Sequence, residues 1–253
     1  MRKKITAYVP VLVFVLLLAV VWEVGTRSFD IPHYIIPQLS DVFVSLWDNR
    51  QLLGKHSVIT LGEALLGLGI STVVGTMAAV WIDRSGLAKK TLYPLIVGSQ
   101  TIPIIVLSPI MVMWFGYEIW SKVAVVILFT FFSIAVNTAD GFRSADPDIG
   151  ALMKTMGANK RDLLFKWKIP SALPGFFTGL KMAAAFSVGG ATLGEWLGGE
   201  SGLGVYTKRA SNMLRADDVF AGVLLLSAMG ILLFLLVMWL EKAVLAYRRT
   251  SNG

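Results

Sequence analysis

Little in this chain is equipped to make or break a covalent bond. Its only histidines are His33 and His56, and it contains no cysteine. Neither H-E-x-x-H nor G-x-S-x-G occurs, so no zinc-hydrolase helix or nucleophile elbow is on offer. Glycines gather at Gly198-Gly199-Glu200-Ser201-Gly202-Leu203-Gly204. The G-x-x-x-x-G-K-S/T spacing of a phosphate loop is nevertheless found nowhere, so energy drawn from a nucleotide must come through another polypeptide. What remains are isolated polar groups and prolines inside apolar stretches, which suit passage of a solute rather than its conversion. Gln100, Thr101, Pro103 and Ser108 form one such set, and Ser187, Thr192 and Glu195 a second. A proline inside a membrane helix removes a donor and frees a carbonyl, which is tolerated where a neighbouring helix or a wet cavity satisfies it. These seven residues are the candidates for a pathway wall.

The elements that must position them follow from composition. Of 253 residues 55% are hydrophobic and 15% charged, and mean hydropathy is +0.69, against roughly 25% charged residues in soluble domains. This is an all-α polytopic membrane protein, read as one transmembrane domain over residues 1–253. Apolar runs place about six spans at 5–24, 61–82, 92–115, 123–137, 176–196 and 219–240. The first run follows Arg2, Lys3 and Lys4 and lacks a small-x-small cleavage site, so it reads as an uncleaved span. Between the first two spans, Leu39, Val42, Phe43, Leu46 and Trp47 make an amphipathic stripe after Ser40, either on the outer bilayer surface or packed on the protein. The second span carries Glu63 near one end and Gly62, Gly67, Gly69 and Gly75 along it, small residues that let helices approach closely. The third contains Pro94, Pro103 and Pro109 and reads as one kinked helix. Lys181, near the inner end of the fifth, can snorkel to the interface.

Net charge is +7, which reflects insertion topology rather than nucleic-acid binding. With both termini inside, fifteen of the 23 Lys and Arg residues fall in inner segments and seven in outer ones, with Lys181 in a span, as the positive-inside rule requires. That orientation puts the one long polar interruption, residues 140–174, in the cytoplasm. Asp146 is an N-cap with Pro147 at the first helical position, and Gly157 stands where a left-handed C-terminal residue is wanted. Ile149, Leu152, Met153 and Met156 are spaced as a single apolar stripe. Asn159 and Asp162 form a box at the start of a second short helix, expected to stop before Pro170.

Met156-Gly157-Ala158, followed by Ile169-Pro170-Ser171-Ala172-Leu173-Pro174-Gly175 and Thr178-Gly179-Leu180-Lys181, resembles the cytoplasmic EAA loop of permease subunits of bacterial ABC importers. The naming Glu-Ala-Ala triplet aligns with Ala151, Leu152 and Met153, so its acidic residue is absent. Gln100-Thr101-Ile102-Pro103 through Pro109 to Trp114-Phe115-Gly116, with Ser201-Gly202-Leu203-Gly204, is similar to the nitrate, sulfonate and taurine group. Trp114 to Lys122 and Gly194-Glu195-Trp196-Leu197-Gly198 look most like permeases for pyrimidine precursors of thiamine. The resemblance implies a type I ABC importer transmembrane domain in the bacterial inner membrane. It also implies docking of Ile149, Leu152, Met153, Met156, Gly157 and Ala158 on a separate ATPase dimer that holds ATP and Mg. An extracytoplasmic substrate-binding protein and a second permease copy complete the expected assembly, while this chain itself is expected to hold no cofactor or metal and to catalyse no reaction. A sulfonate, taurine or nitrate permease and an ion-coupled secondary transporter remain the alternatives, although no internal repeat of the kind common in the latter is evident.

Overall fold

The computed structural model describes residues 2–29 and 31–246, and every regular element in that part is helical. The helices run α1 Arg2–Ser28, α2 Leu39–Asp48, α3 Arg50–Arg84, α4 Gly86–Ser99, α5 Ile104–Phe115, α6 Ile119–Arg143, α7 Pro147–Thr155, α8 Lys160–Asp162, α9 Ile169–Gly198, α10 Leu203–Asn212 and α11 Ala216–Val244. A π-helical turn, Leu163–Lys168, joins α8 to α9. Five helices among the described residues are long and apolar enough to cross a membrane, and the α4–α5 pair makes a sixth if it is one broken span. Of the basic residues used for orientation, Arg248, Arg249 and the side chains of Arg2, Lys3 and Lys4 lie outside the described part.

At the centre, α9 lies against α6 with almost no side-chain layer between them. A Cβ on Gly175 would come within 3.0 Å of the Gly141 Cα, and one on Gly190 or Gly194 within 3.0 Å and 2.9 Å of the Val126 and Lys122 Cα atoms. Such approach is how membrane helices associate when lipid offers no hydrophobic drive. Helix α3 uses the same device against α6, through Gly67 at Val126 and Gly75 at Ile134; Gly62 and Gly69, expected to do likewise, have open space beside them. Thr130 of α6 and Ser71 of α3 join their hydroxyls at 2.6 Å.

Two expectations are corrected. The stretch 92–115 is not one kinked helix: α4 and α5 meet at 99°. Pro94 and Pro109 sit inside their helices without ending them, whereas the chain turns at Gln100–Pro103, where Pro103 is extended and serves as the N-cap of α5. Secondly, the hairpin's second leg does not stop before Pro170. The Ile169 N–H reaches back to the Leu164 carbonyl in π register, and the change of register at the next residue absorbs the donor that Pro170 lacks. The fifth span therefore begins at the hairpin itself. The glycine-rich segment between 198 and 218 contains α10, whose Leu203, Tyr206 and Ala210 are buried. The surface helix α2 divides its stripe, burying Val42 while Phe43 and Trp47 stay exposed.

Candidate functional site

The hairpin is held by local chemistry. Asp146 Oδ1 accepts from the Asp148 N–H at 2.9 Å, and Gly157 ends α7 at φ 83°, a conformation that costs a residue with a Cβ about 1–2 kcal/mol. Asn159 Oδ1 accepts from the N–H groups of Arg161 and Asp162, each at 2.9 Å, while Asp162 Oδ2 accepts from the Asn159 N–H at 3.4 Å. Cap residues of this kind contribute on the order of 1 kcal/mol each. The expected single stripe splits into two faces. Ile149, Leu152 and Met156 are 49%, 60% and 78% exposed, whereas Met153 and Ala158 turn half inward. On the inward side Gly150 lies flat against the Trp167 indole, with ring atoms 2.7 and 2.8 Å from where a Cβ would stand.

Through Trp167 the exposed face connects to the bundle. The indole sits in the π turn, and its buried Nε1 finds no partner among the described residues. One residue on, Lys168 Nζ pairs with both carboxylate oxygens of Asp83, at 2.8 and 2.6 Å, tying the π turn to the end of α3. Lys181 does not snorkel: it meets Glu241 of α11 at 2.7 Å. Two ion pairs and a helix junction thus link the hairpin to α3, α9 and α11. At the hairpin's base a cleft of about 510 Å³ opens between α6 and α9, lined by Asn137, Asp140, Ser144, Asp146 and Ser171 among others.

The pathway candidates separate in space. Gln100, Thr101 and Pro103 are exposed at the α4–α5 corner, where the Thr101 hydroxyl donates to the Gly98 carbonyl at 2.8 Å. Thr192 lines a groove of about 650 Å³ between α9 and α11, together with Gly189, Trp196, Ser227, Gly230 and Phe234. Ser108, Ser187 and Glu195 are buried within the chain. Ser187 donates to the Ala184 carbonyl at 2.9 Å.

Glu195 belongs to a polar corner that sequence reasoning missed. Its Oε1 accepts from the Thr60 hydroxyl at 2.6 Å and its Oε2 from the Gly204 N–H at 2.5 Å. Thr60 accepts in turn from the Leu203 N–H at 2.8 Å, and His56 Nδ1 accepts from the Gly202 N–H at 2.9 Å. Glu63, one turn after Thr60 on α3, is buried as well, with its Oε2 unpartnered among the described residues. Beside them Asp218 accepts from Ser45 at 2.6 Å and Asn49 at 3.0 Å and pairs with Arg215, fastening α2 to α11. Burial first, then Asp218, push the Tyr206 phenol above its ordinary value. The apolar spacing of Leu203, Tyr206 and Ala210 was the legible signal for α10, but none in the local sequence pairs Thr60 with Glu195.

A family model described as the binding-protein-dependent transport system inner membrane component matches residues 71–246. The chain belongs to that family. The permease is 40% identical over 98% of its length to the formylaminopyrimidine transport permease protein ThiX of Halalkalibacterium halodurans, covering 99% of that protein. It is 27% identical to the putative aliphatic sulfonates transport permease protein SsuC of Bacillus subtilis, over 83% of this chain and 76% of the other. Among solved structures, a chain of the inward-facing MetNI methionine ABC transporter superposes with a TM-score of 0.68 at 18% identity, covering 77% of the permease and 97% of that chain. The fold is that of a type I ABC importer transmembrane domain, and the permease is a multi-pass membrane subunit of an importer.

Proposed function

We propose that two copies of this permease form the translocation pathway of an ATP-driven importer for a pyrimidine precursor of thiamine. A separate ATPase dimer drives transport from the cytoplasm, and an extracytoplasmic binding protein delivers the solute. The observation that carries the docking role is the exposed face of Ile149, Leu152 and Met156 on a helix whose ends are locked by Asp146 and Gly157. Amphipathic helices bind partners by laying such a face in an apolar groove. The fifteen-to-seven distribution of basic residues supports a cytoplasmic hairpin and cytoplasmic termini. In this reading ATP and Mg reside on the partner, and closure of the ATPases draws the two hairpins together. Helix α9, continuous with the hairpin and about 45 Å long at 1.5 Å per residue, carries that motion across the bilayer.

The substrate assignment is supported by the 40% identity to the ThiX protein over nearly the full chain. The test is uptake into proteoliposomes that hold the permease, its ATPase and its binding protein. Formylaminopyrimidine uptake that needs both ATP and the binding protein is the expected result. Uptake of taurine or an alkanesulfonate instead overturns the substrate assignment, and uptake without ATP overturns the mechanism in favour of an ion-coupled carrier.

A further inference from the structure

Between the C-terminal part of α3 and the start of α9 lies a groove of about 660 Å³ that the proposed transport cycle does not use. One face of α3 supplies most of its wall, with Val73, Met77, Val80, Trp81 and Arg84, and Phe176 of α9 lines it as well. Val73, Met77 and Trp81 are exposed. Of the two hydroxyls beside them, Thr72 donates to the Leu68 carbonyl at 2.7 Å, and the Thr76 oxygen is closed off from the surface. The open wall is therefore apolar along its length and cationic at one end. We infer that this groove binds one anionic phospholipid of the cytoplasmic leaflet, with an acyl chain lying along α3 and the phosphate at Arg84.

Length and charge select that occupant. From Thr72 to Arg84 the helix rises about 18 Å at 1.5 Å per residue, close to one leaflet of a hydrocarbon core about 30 Å thick. Trp81 stands just before Arg84, at the level where indole rings settle among headgroups. Arg84 has no ion partner among the described residues, and the neighbouring Asp83 is taken by Lys168. Helix α4 begins at Gly86, and the Gly86 and Leu87 N–H groups make no bond among the described residues. The positive end of a second helix dipole thus stands at the same turn. Lys89 and Lys90, both exposed, add to the field. A phosphodiester supplies what this turn lacks, a single negative charge with acceptor oxygens that match the guanidinium fork. A zwitterionic lipid brings the same chains with its charge cancelled, so the basic turn tells the two headgroups apart. The positive-inside rule alone accounts for basic residues at this level, but not for an apolar track that ends on one of them. A helix from a second copy would fill the track and leave Arg84 without an anion. The choice of leaflet rests on the orientation proposed above, whereas the site itself does not.

Photolabelling of the full-length permease in nanodiscs tests this, with phosphatidylglycerol that carries a diazirine in its acyl chain. Labelled peptides are expected to concentrate on residues 72–84 of α3 and around Phe176. Unlabelled phosphatidylglycerol should compete for that site about tenfold better than phosphatidylcholine, the effect of one hydrogen bond to a charged group. Arg84→Gln abolishes the preference, and Arg84→Lys, which retains the charge, keeps most of it. Equal competition by the two lipids in the wild type, or an unchanged preference in Arg84→Gln, overturns the headgroup site. Label spread evenly over the lipid-facing helices overturns the groove. Because the protein contains no cysteine, Met77→Cys is a unique probe, and a disulfide-linked permease dimer formed through it puts a second copy in the groove and overturns the lipid. If Arg84→Gln does not fold, the labelling and competition in the wild type still decide. Leu87→Cys reports orientation separately: reaction with a membrane-impermeant maleimide from outside the cell overturns the leaflet and the proposed orientation together, while the competition result stands apart from both.

Discussion

Replacing Leu152 separates docking from folding. Leu152 lies on the outward face of α7 and is 60% exposed in the isolated chain. Full burial of a leucine side chain contributes roughly 1.5–3 kcal/mol, so covering the exposed part in a partner groove is worth about 1–2 kcal/mol per hairpin. Leu152→Ala should then weaken ATPase binding about five- to thirtyfold, at about 1.4 kcal/mol per factor of ten. Leu152→Asp removes the same contact and adds a carboxylate that must enter the groove dry, at a cost of several kcal/mol more. Association should fall below detection. The fold itself loses nothing of consequence, because an exposed substitution away from caps and ion pairs changes stability by about 0.5 kcal/mol or less. The assay is titration of purified ATPase against permease in nanodiscs, beside a melting curve of each variant. Wild-type affinity in Leu152→Asp refutes the docking face. A lowered melting temperature matching the affinity loss would instead show that Leu152 packs within the permease.

Two further substitutions probe the joints at either end of α9. Lys168→Met leaves Asp83, whose side chain is 13% exposed, without its ion partner. Removing one member of a fully buried pair costs about 3–5 kcal/mol, and the partial exposure of this one reduces that to about 1–3 kcal/mol. Thermal melting should show the loss, and Asp83→Asn in the same chain should restore part of it. Thr60→Val keeps the shape of the side chain but deletes its bonds to Glu195 and the Leu203 N–H. Two buried polar groups left unpaired cost about 1–3 kcal/mol each, so denaturation should register roughly 2–6 kcal/mol, with Thr60→Ser close to wild type.

The span pattern, the caps of α7 and α8 and the residues facing outward from the hairpin were readable in the sequence because each is set within a few residues. Burial in lipid demands an unbroken apolar run, and a cap is a bond between neighbours two or three positions apart. The same locality explains the errors. Proline at 103 and proline at 170 look alike in sequence, but one turns the chain by 99° while the other is absorbed by the π register at Ile169. Whether a missing donor breaks a helix depends on what receives the freed carbonyl, and neighbouring elements decide that. The polarity of Ser108, Ser187 and Glu195 is visible in the sequence, whereas their burial within the chain is set by how the helices rotate against one another. The bond from Thr60 of α3 to Glu195 of α9 lies furthest from sequence reasoning. It exists because glycine contacts bring α3 and α9 close against α6, and the separation and register of packed helices are properties of the assembled bundle alone.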